Sequence, residues 1–458
     1  MRAIVSCLCA AVLVHSGDAG AQTETVAQPP SLIIPNYNRF RVGKDEALQG
    51  GAFIARTKGA AANVYNPAGL AQAKGTEIAA SSTGYEYLKL EVAGTSKSTS
   101  TTTLVGLGSY FGLVLAEPLP LERWRFGFSV SQPLDWSPPA LSGAFPVEVA
   151  AQPERQVRFT ASGRLNSTVP ALAAGFAASP SLRFGVSVGV PILSYSQHGT
   201  VDARAVGDSS ATVAVRDATV SGDAFQLRVT GGAQWDIVPA LTLGLVVTSP
   251  TWTWSSSGRL SGHRGNYSGT ALVDGWLIDD DAGFDYEQPF ELGGGLAFHL
   301  GRAELEADVR WHGANDGFTM FTSDATGIRT VTDAAGVPST TMVGFEPTVV
   351  RWRDVVNFAV GGHVDLGRRT RIHLGFFTDR SPVMTETTVF PKIDLYGGTG
   401  GISFAIGKVI SGSVGLSYTT GTSVRGPVAD VEGTPVQTEV KLTIFQLLYS
   451  ISFEFGGP

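Results

Sequence analysis

From about residue 76 onward the chain alternates apolar and polar residues with a period of two. Trp124, Phe126, Phe128 and Val130 alternate with Arg125, Gly127, Ser129 and Ser131. Leu182, Phe184, Val186 and Val188 do the same against Arg183, Gly185, Ser187 and Gly189. Ala303, Leu305, Ala307, Val309 and Trp311 oppose Glu304, Glu306, Asp308 and Arg310. Successive side chains of a strand point to opposite faces, so each segment reads as a strand with one apolar and one wet face. Fourteen strands are predicted, near residues 78–92, 102–115, 124–131, 168–177, 182–195, 224–235, 240–254, 290–300, 303–311, 349–364, 371–377, 395–406, 409–419 and 440–455. The connections alternate in length. Short ones fall at 117–122, 179–181, 236–239, 301–302, 365–370 and 407–408, and long ones at 132–167, 196–223, 255–288, 312–348, 378–394 and 420–439. An even strand count with short turns at one end and long loops at the other is the pattern of an outer-membrane β-barrel.

The rest of the composition agrees with this. No run of about 18 apolar residues follows the leader, so no helix is predicted to span a bilayer, and a closed barrel is the other structure that can. With 56 Gly, 4 Met and 16% charged residues the chain favours many strands over packed helices. Residues 1–21 read as a secretion signal: Arg2, an apolar core from Ala3 to Val14, and the cleavage triplet Ala19-Gly20-Ala21. Cys7 and Cys9 lie within it, so the expected mature chain has no thiol for disulfides or metal. The net charge is −7 and the basic residues are scattered, which argues against a nucleic-acid partner.

Ahead of the strands stands a compact small-residue stretch, Lys58 to Leu70, containing Asn66-Pro67-Ala68-Gly69. Proline pushes Asn66 out of the helical region, and Gly69 is expected to close the turn at positive φ. Such a segment before a barrel reads as a plug, giving a division into signal 1–21, hatch 22–75 and barrel 76–458.

Asn66-Pro67-Ala68 resembles the hatch element of the FadL/TodX family of outer-membrane transporters for long-chain fatty acids and hydrocarbons. Trp352-Arg353-Asp354, Leu374-Gly375-Phe376, Asp379-Arg380-Ser381-Pro382-Val383, Pro391 and Asp394 follow in that family's order and spacing, and Gly412 to Tyr418 with Gly421-Thr422-Ser423-Val424 resemble its penultimate strand and next loop. The resemblance implies an all-β barrel of fourteen strands with the hatch inside, working as a monomer in the outer membrane. It implies binding and passage of a hydrophobic small molecule without chemistry or cofactor, and a sideways exit beside a kinked third strand.

Each candidate site has two readings. Asn66, Pro67, Ala68 and Gly69 either gate the lumen or only hold the hatch turn. Gly127, with Pro133 expected to end the third strand, marks either a lateral opening or a plain strand end. Arg125, Arg183, Arg228, Arg310, Arg371 and His373 fall on the inward phase. Arg125, Arg228, Arg310 and Arg371 are the candidates for a carboxylate head group, against pairing with Glu291, Glu304, Glu306 and Asp308. The apolar segments 138–141 and 143–147 read as a capture groove or as loop packing. Asp279-Asp280-Asp281, with Asp285 and Glu287, could bridge a cation to lipopolysaccharide, but the spacing fits a solvated acidic loop better.

Enzyme signals are weak. Gly185-Val186-Ser187-Val188-Gly189 fits G-x-S-x-G but lies mid-strand, where no strand-to-helix turn exposes a nucleophile. No metal is expected, since the histidines lack ligand spacing. The alternatives to transport are a barrel for adhesion or envelope structure and, behind it, an outer-membrane lipid hydrolase.

Overall fold

The computed structural model describes residues 25–26, 31–37, 42–92, 99–103, 109–116, 122–138, 140–147, 155–205, 212–268, 271–384, 390–423 and 439–456. The secretion signal read in residues 1–21 lies outside them. The chain forms a closed antiparallel barrel of fourteen strands. Strand one is Thr76–Val92 and strand two is Thr99–Thr103 with Tyr110–Leu115. Strand three is Trp124–Trp136, four is Arg155–Ala177, five is Leu182–Gly189 with Ile192–Ala205, and six is Thr212–Val238. Seven is Leu241–Thr248 with Trp252–Ser268, eight is Ala271–Phe284 with Glu291–Leu300, nine is Ala303–His312 with Asn315–Thr322, and ten is Thr348–Trp352 with Val355–Asp365. Eleven to fourteen are Thr370–Asp379, Asp394–Ile406, Ile410–Ser423 and Val440–Phe455. Strand one closes the barrel on strand fourteen, from Thr76↔Phe455 to Val92↔Val440.

The end bearing Thr76, Phe455 and the short turns is here called the lower end. In the lower half the outer wall is apolar: Phe184, Val186, Leu245, Leu292, Phe298, Phe358 and Leu416 are exposed, while Ser187, Gln234, Thr242, Glu306, Asp308, His363, His373 and Ser417 are buried inside. The upper half reverses this phase. Leu88, Leu90, Phe159, Leu165, Val220, Leu260, Leu277, Leu442 and Ile444 are buried inward and form one apolar core, whereas Arg164, Asp223, Arg259 and Lys441 face outward and are exposed, with Leu272, Trp276 and Ile278 exposed among such polar residues.

The upper half is where the sequence expectation changes most. The long connections expected at 132–167, 196–223 and 255–288 are largely ladder, with strand four reaching up to Arg155 and strands six and seven paired from Thr212↔Ser268 down to Leu227↔Trp252. A ladder needs only paired backbone groups. Once its outer face is polar, its composition is that of a loop. The acidic run Asp279-Asp280-Asp281 likewise lies inside a strand, Ala271–Phe284.

Two stretches ahead of the barrel occupy the lumen. Residues 42–75 fill the lower half as the 3-10 turns Ala47–Gln49 and Gly59–Ala61, the helix Ala62–Tyr65 and the 3-10 turn Pro67–Gln72. Each turn is too short to be stable alone. Their apolar residues Val42, Phe53, Tyr65 and Leu70 pack against wall residues Ala79, Tyr110, Val114 and Ala173. Residues 31–37 lie higher, where Leu32, Ile33 and Ile34 join the apolar core. The short strand Thr25–Val26 pairs in parallel with Gly344 and Phe345 of a hairpin between strands nine and ten.

Candidate functional site

Asn66 is fully buried and extended, at φ −162°. Its Oδ1 accepts the N–H of Ala68 at 3.1 Å, capping the Pro67–Gln72 turn, with proline at a position that needs no donor. Its Nδ2 donates to the Ile54 carbonyl at 2.8 Å and to the Ala233 carbonyl of strand six at 3.0 Å. One side chain therefore closes the turn, ties two parts of the hatch together and docks them on the wall.

Gly69 departs from expectation. It is absent from the glycines at positive φ, and it lies inside the Pro67–Gln72 turn. Glycine is required there by close approach, since a Cβ would collide with the Thr57 carbonyl. The same holds on the wall at Gly185, where a Cβ would meet Pro67 and Ala68. Gly185 of the G-x-S-x-G run is thus a seat for the hatch.

A second anchor comes from strand nine. Asp308 Oδ2 accepts the backbone N–H groups of Phe53 and Ile54 at 2.9 and 3.2 Å. Glu306 Oε1 accepts the N–H of Ala55 at 2.6 Å, and its Oε2 accepts Arg56 Nε at 2.9 Å. Arg56 also donates to Gln49 Oε1 at 2.6 Å and lies over the Phe53 ring at 4.0 Å. Of the carboxylates expected to pair with inward wall arginines, Glu306 and Asp308 hold the hatch instead, because three backbone donors and one hatch arginine reach them, while Glu291 does pair with Arg228 and Arg310. Sequence reasoning missed Arg56. Backbone donors leave no trace in side-chain periodicity.

Asp45 and Glu46 lie at the lower end of the hatch. Burial pushes both up. For Asp45, the cationic Lys44 and the neighbouring His373, Arg371 and His363 outweigh burial and hold it below the usual aspartate value. For Glu46, burial, with Asp45 adding to it, outweighs a backbone hydrogen bond and Lys44 and raises the carboxyl to about 7.

The four head-group candidates part company. Arg228 and Arg310 meet on one carboxylate, at 3.6 and 2.8 Å from Glu291, and both line a cavity of about 200 Å³ between hatch and wall. Arg125 sits at the lower end, donating to the carbonyls of Ala73, Glu122 and Trp124. Arg371 is also low, bonded to Asp365 at 2.8 Å and 3.5 Å from Asp45. Arg183 pairs with Asp236 at 2.6 Å.

The third strand does not end at Pro133. It runs on to Trp136 with a register shift against strand four between Ser131 and Leu134, because a bulge tolerates a residue without an N–H. Trp136 Nε1 then donates to the Leu32 carbonyl at 2.8 Å. Ser129, Ser131 and Pro133 border the cavity. At Gly127 the space of a side chain is taken by Asn63 of the hatch. Of the capture-groove segment, Leu141 is buried in the apolar core, Pro139 lies outside the described residues, and Leu141–Val147 is a strand. Among the described residues no cluster of His, Cys, Asp and Glu is placed to hold a metal ion.

No protein-family model matches the chain, and no curated protein does. Solved structures do. A Pseudomonas aeruginosa FadL homologue superposes with a TM-score of 0.54 at 14% identity, over 93% of this chain and 100% of that one. The Ralstonia pickettii toluene transporter TbuX gives 0.53 at 14%, over 92% and 99%, and the P. putida toluene transporter TodX gives 0.54 at 16%, over 90% and 98%. At such identities the likeness is one of fold, and it spans nearly the full length of both partners. The chain has the plugged, fourteen-stranded barrel fold of the FadL and TodX channels.

Proposed function

We propose that this chain is an outer-membrane channel for small hydrophobic molecules, fatty acids or hydrocarbons, that binds its cargo in the lumen and releases it passively. The observation that carries the reading is the division of the lumen: an inward-facing apolar core above a polar, hatch-filled half, with the cavity between hatch and wall. An apolar solute gains about 25 cal/mol for each Å² it removes from water. The inner surface of the upper half provides that gain, and a water-filled pore would not. The apolar outer wall of the lower half fits a bilayer. Two of the structural neighbours are toluene transporters, which points the same way.

In this reading Leu32, Ile33 and Ile34 occupy part of the apolar space, and cargo competes with them. Asn66-Pro67-Ala68-Gly69 acts as the hinge by which the hatch yields. The bulge at Pro133 beside the cavity is the candidate sideways exit. The protein works as a monomer among outer-membrane lipid and lipopolysaccharide.

The test is uptake of labelled toluene and oleate by cells lacking their own channels of this type, with and without the chain. Faster uptake of either supports the reading. Equal uptake of both with and without the barrel, at verified surface levels, sinks it.

A further inference from the structure

The cavity carries polar groups that transport of a plain hydrocarbon does not use. Among the described residues lining the cavity, five buried polar atoms have no hydrogen-bond partner: the donors Tyr37 OH, Ser129 Oγ and Asn357 Nδ2, and the acceptors Asn63 Oδ1 and Asp308 Oδ1. Ser129 is 1% and Asn357 2% exposed. The orientation of Asn357 is fixed, because its Oδ1 accepts the N–H of Arg380 at 2.8 Å and leaves the amine as the free end. The first three groups can donate, and an unsatisfied buried polar group costs about 1–3 kcal/mol. The complement of the donors is an oxygen lone pair, and the two acceptors can take the hydrogen of a hydroxyl.

The ionised groups in the lining decide which oxygen. Arg310 Nη1 and Arg228 Nη2 both lie on Glu291, and Arg228 Nη1 donates to Gln288 Oε1 at 2.8 Å. Asp308 lines the cavity as well, so the two guanidinium groups are balanced by two carboxylates. An incoming carboxylate would have to displace Glu291 and sit near Asp308. A neutral hydroxyl or carbonyl oxygen meets neither obstacle. Tyr286 belongs to the apolar core above and Gln288, two residues on, lines the cavity, so the cavity lies next to that core and an apolar tail would have to displace part of its packing.

We infer that this cavity selects an uncharged, oxygen-bearing end on an otherwise apolar cargo, a phenol, alcohol or ketone, in preference to a carboxylate. The inference rests on the transport reading and narrows it. It is tested with three matched probes, toluene, 4-methylphenol and 4-methylbenzoate, titrated at neutral pH into the full mature chain in lipid nanodiscs. The phenol is expected to bind about tenfold tighter than either of the others, the equivalent of one recovered donor. Tyr37→Phe with Ser129→Ala, both close to isosteric, removes two of the three donors and should narrow the margin of phenol over toluene. Glu291→Gln frees the two arginines and should tighten 4-methylbenzoate about tenfold. Toluene binding with no phenol preference, a phenol preference undiminished in the double variant, or a wild type that binds the benzoate best overturns this selectivity and leaves transport standing. If none of the three binds and cells take up no more of them with the chain than without it, the transport reading falls too.

Discussion

Arg56 of the hatch donates from Nε to Glu306 of the wall at 2.9 Å, with the two side chains 3% and 0% exposed. The pair joins the stretch least able to fold alone to the wall, which holds its shape through its ladder. Removing one partner strands a buried charge, at a cost of about 3–5 kcal/mol. Arg56→Met is therefore expected to leave the barrel folded while the amides of Phe53, Ile54 and Ala55 exchange with solvent far faster. Unchanged exchange at those amides would show that the pair does not hold the hatch.

Asn66 separates capping from docking. Asn66→Asp keeps an acceptor for Ala68 but loses the donor to Ile54 and Ala233, whereas Asn66→Ala loses both. A lost cap costs about 1 kcal/mol, and each orphaned buried partner about 1–3 kcal/mol. Limited proteolysis of the hatch should thus be raised nearly as much by Asn66→Asp as by Asn66→Ala. Protection retained in Asn66→Asp would mean that the side chain only caps its turn.

Glu46 makes hatch docking pH-dependent. Its folded carboxyl lies at about 7, above its unfolded value, so its contribution is complete below the unfolded pKa and is lost as pH rises through about 7. The span amounts to about 3 kcal/mol. Asp45, held below its usual value, acts oppositely: its contribution is present above the unfolded pKa and lost in acid. Hatch proteolysis should rise between mildly acidic and mildly alkaline pH, and Glu46→Gln should flatten that rise. A rise that persists in Glu46→Gln would assign it to another group.

Ile33 is fully buried in the upper core. Ile33→Ala should loosen residues 31–37 by about 2–5 kcal/mol, and if cargo competes with this segment, cargo affinity should increase. Weaker binding in Ile33→Ala would mean that the segment builds the site.

The lower barrel was legible in the chain because its outer wall is apolar and its inner wall polar, a pattern that Phe184 and Ser187 or Leu305 and Glu306 display directly. The upper barrel was not, because Asp223 and Arg259 on its outer face read as loop. The plug was legible at Asn66-Pro67. Its docking was less so: Glu306 and Asp308 announce themselves as charges, but nothing in the sequence says that their partners are the N–H groups of residues 53 to 55. Gly69 was singled out for backbone freedom, and crowding by Thr57 turned out to be the cause.

The reversal of phase halfway up the wall puts the oily lining of this molecule above the band where its outside is oily. A solute coming from water would change solvent inside the protruding collar, before it reached the level of the lipid tails. If the chain carries solutes as proposed, the step out of water would be governed by the inner side chains of that upper part, and the bilayer would serve mainly to hold the lower ring in place.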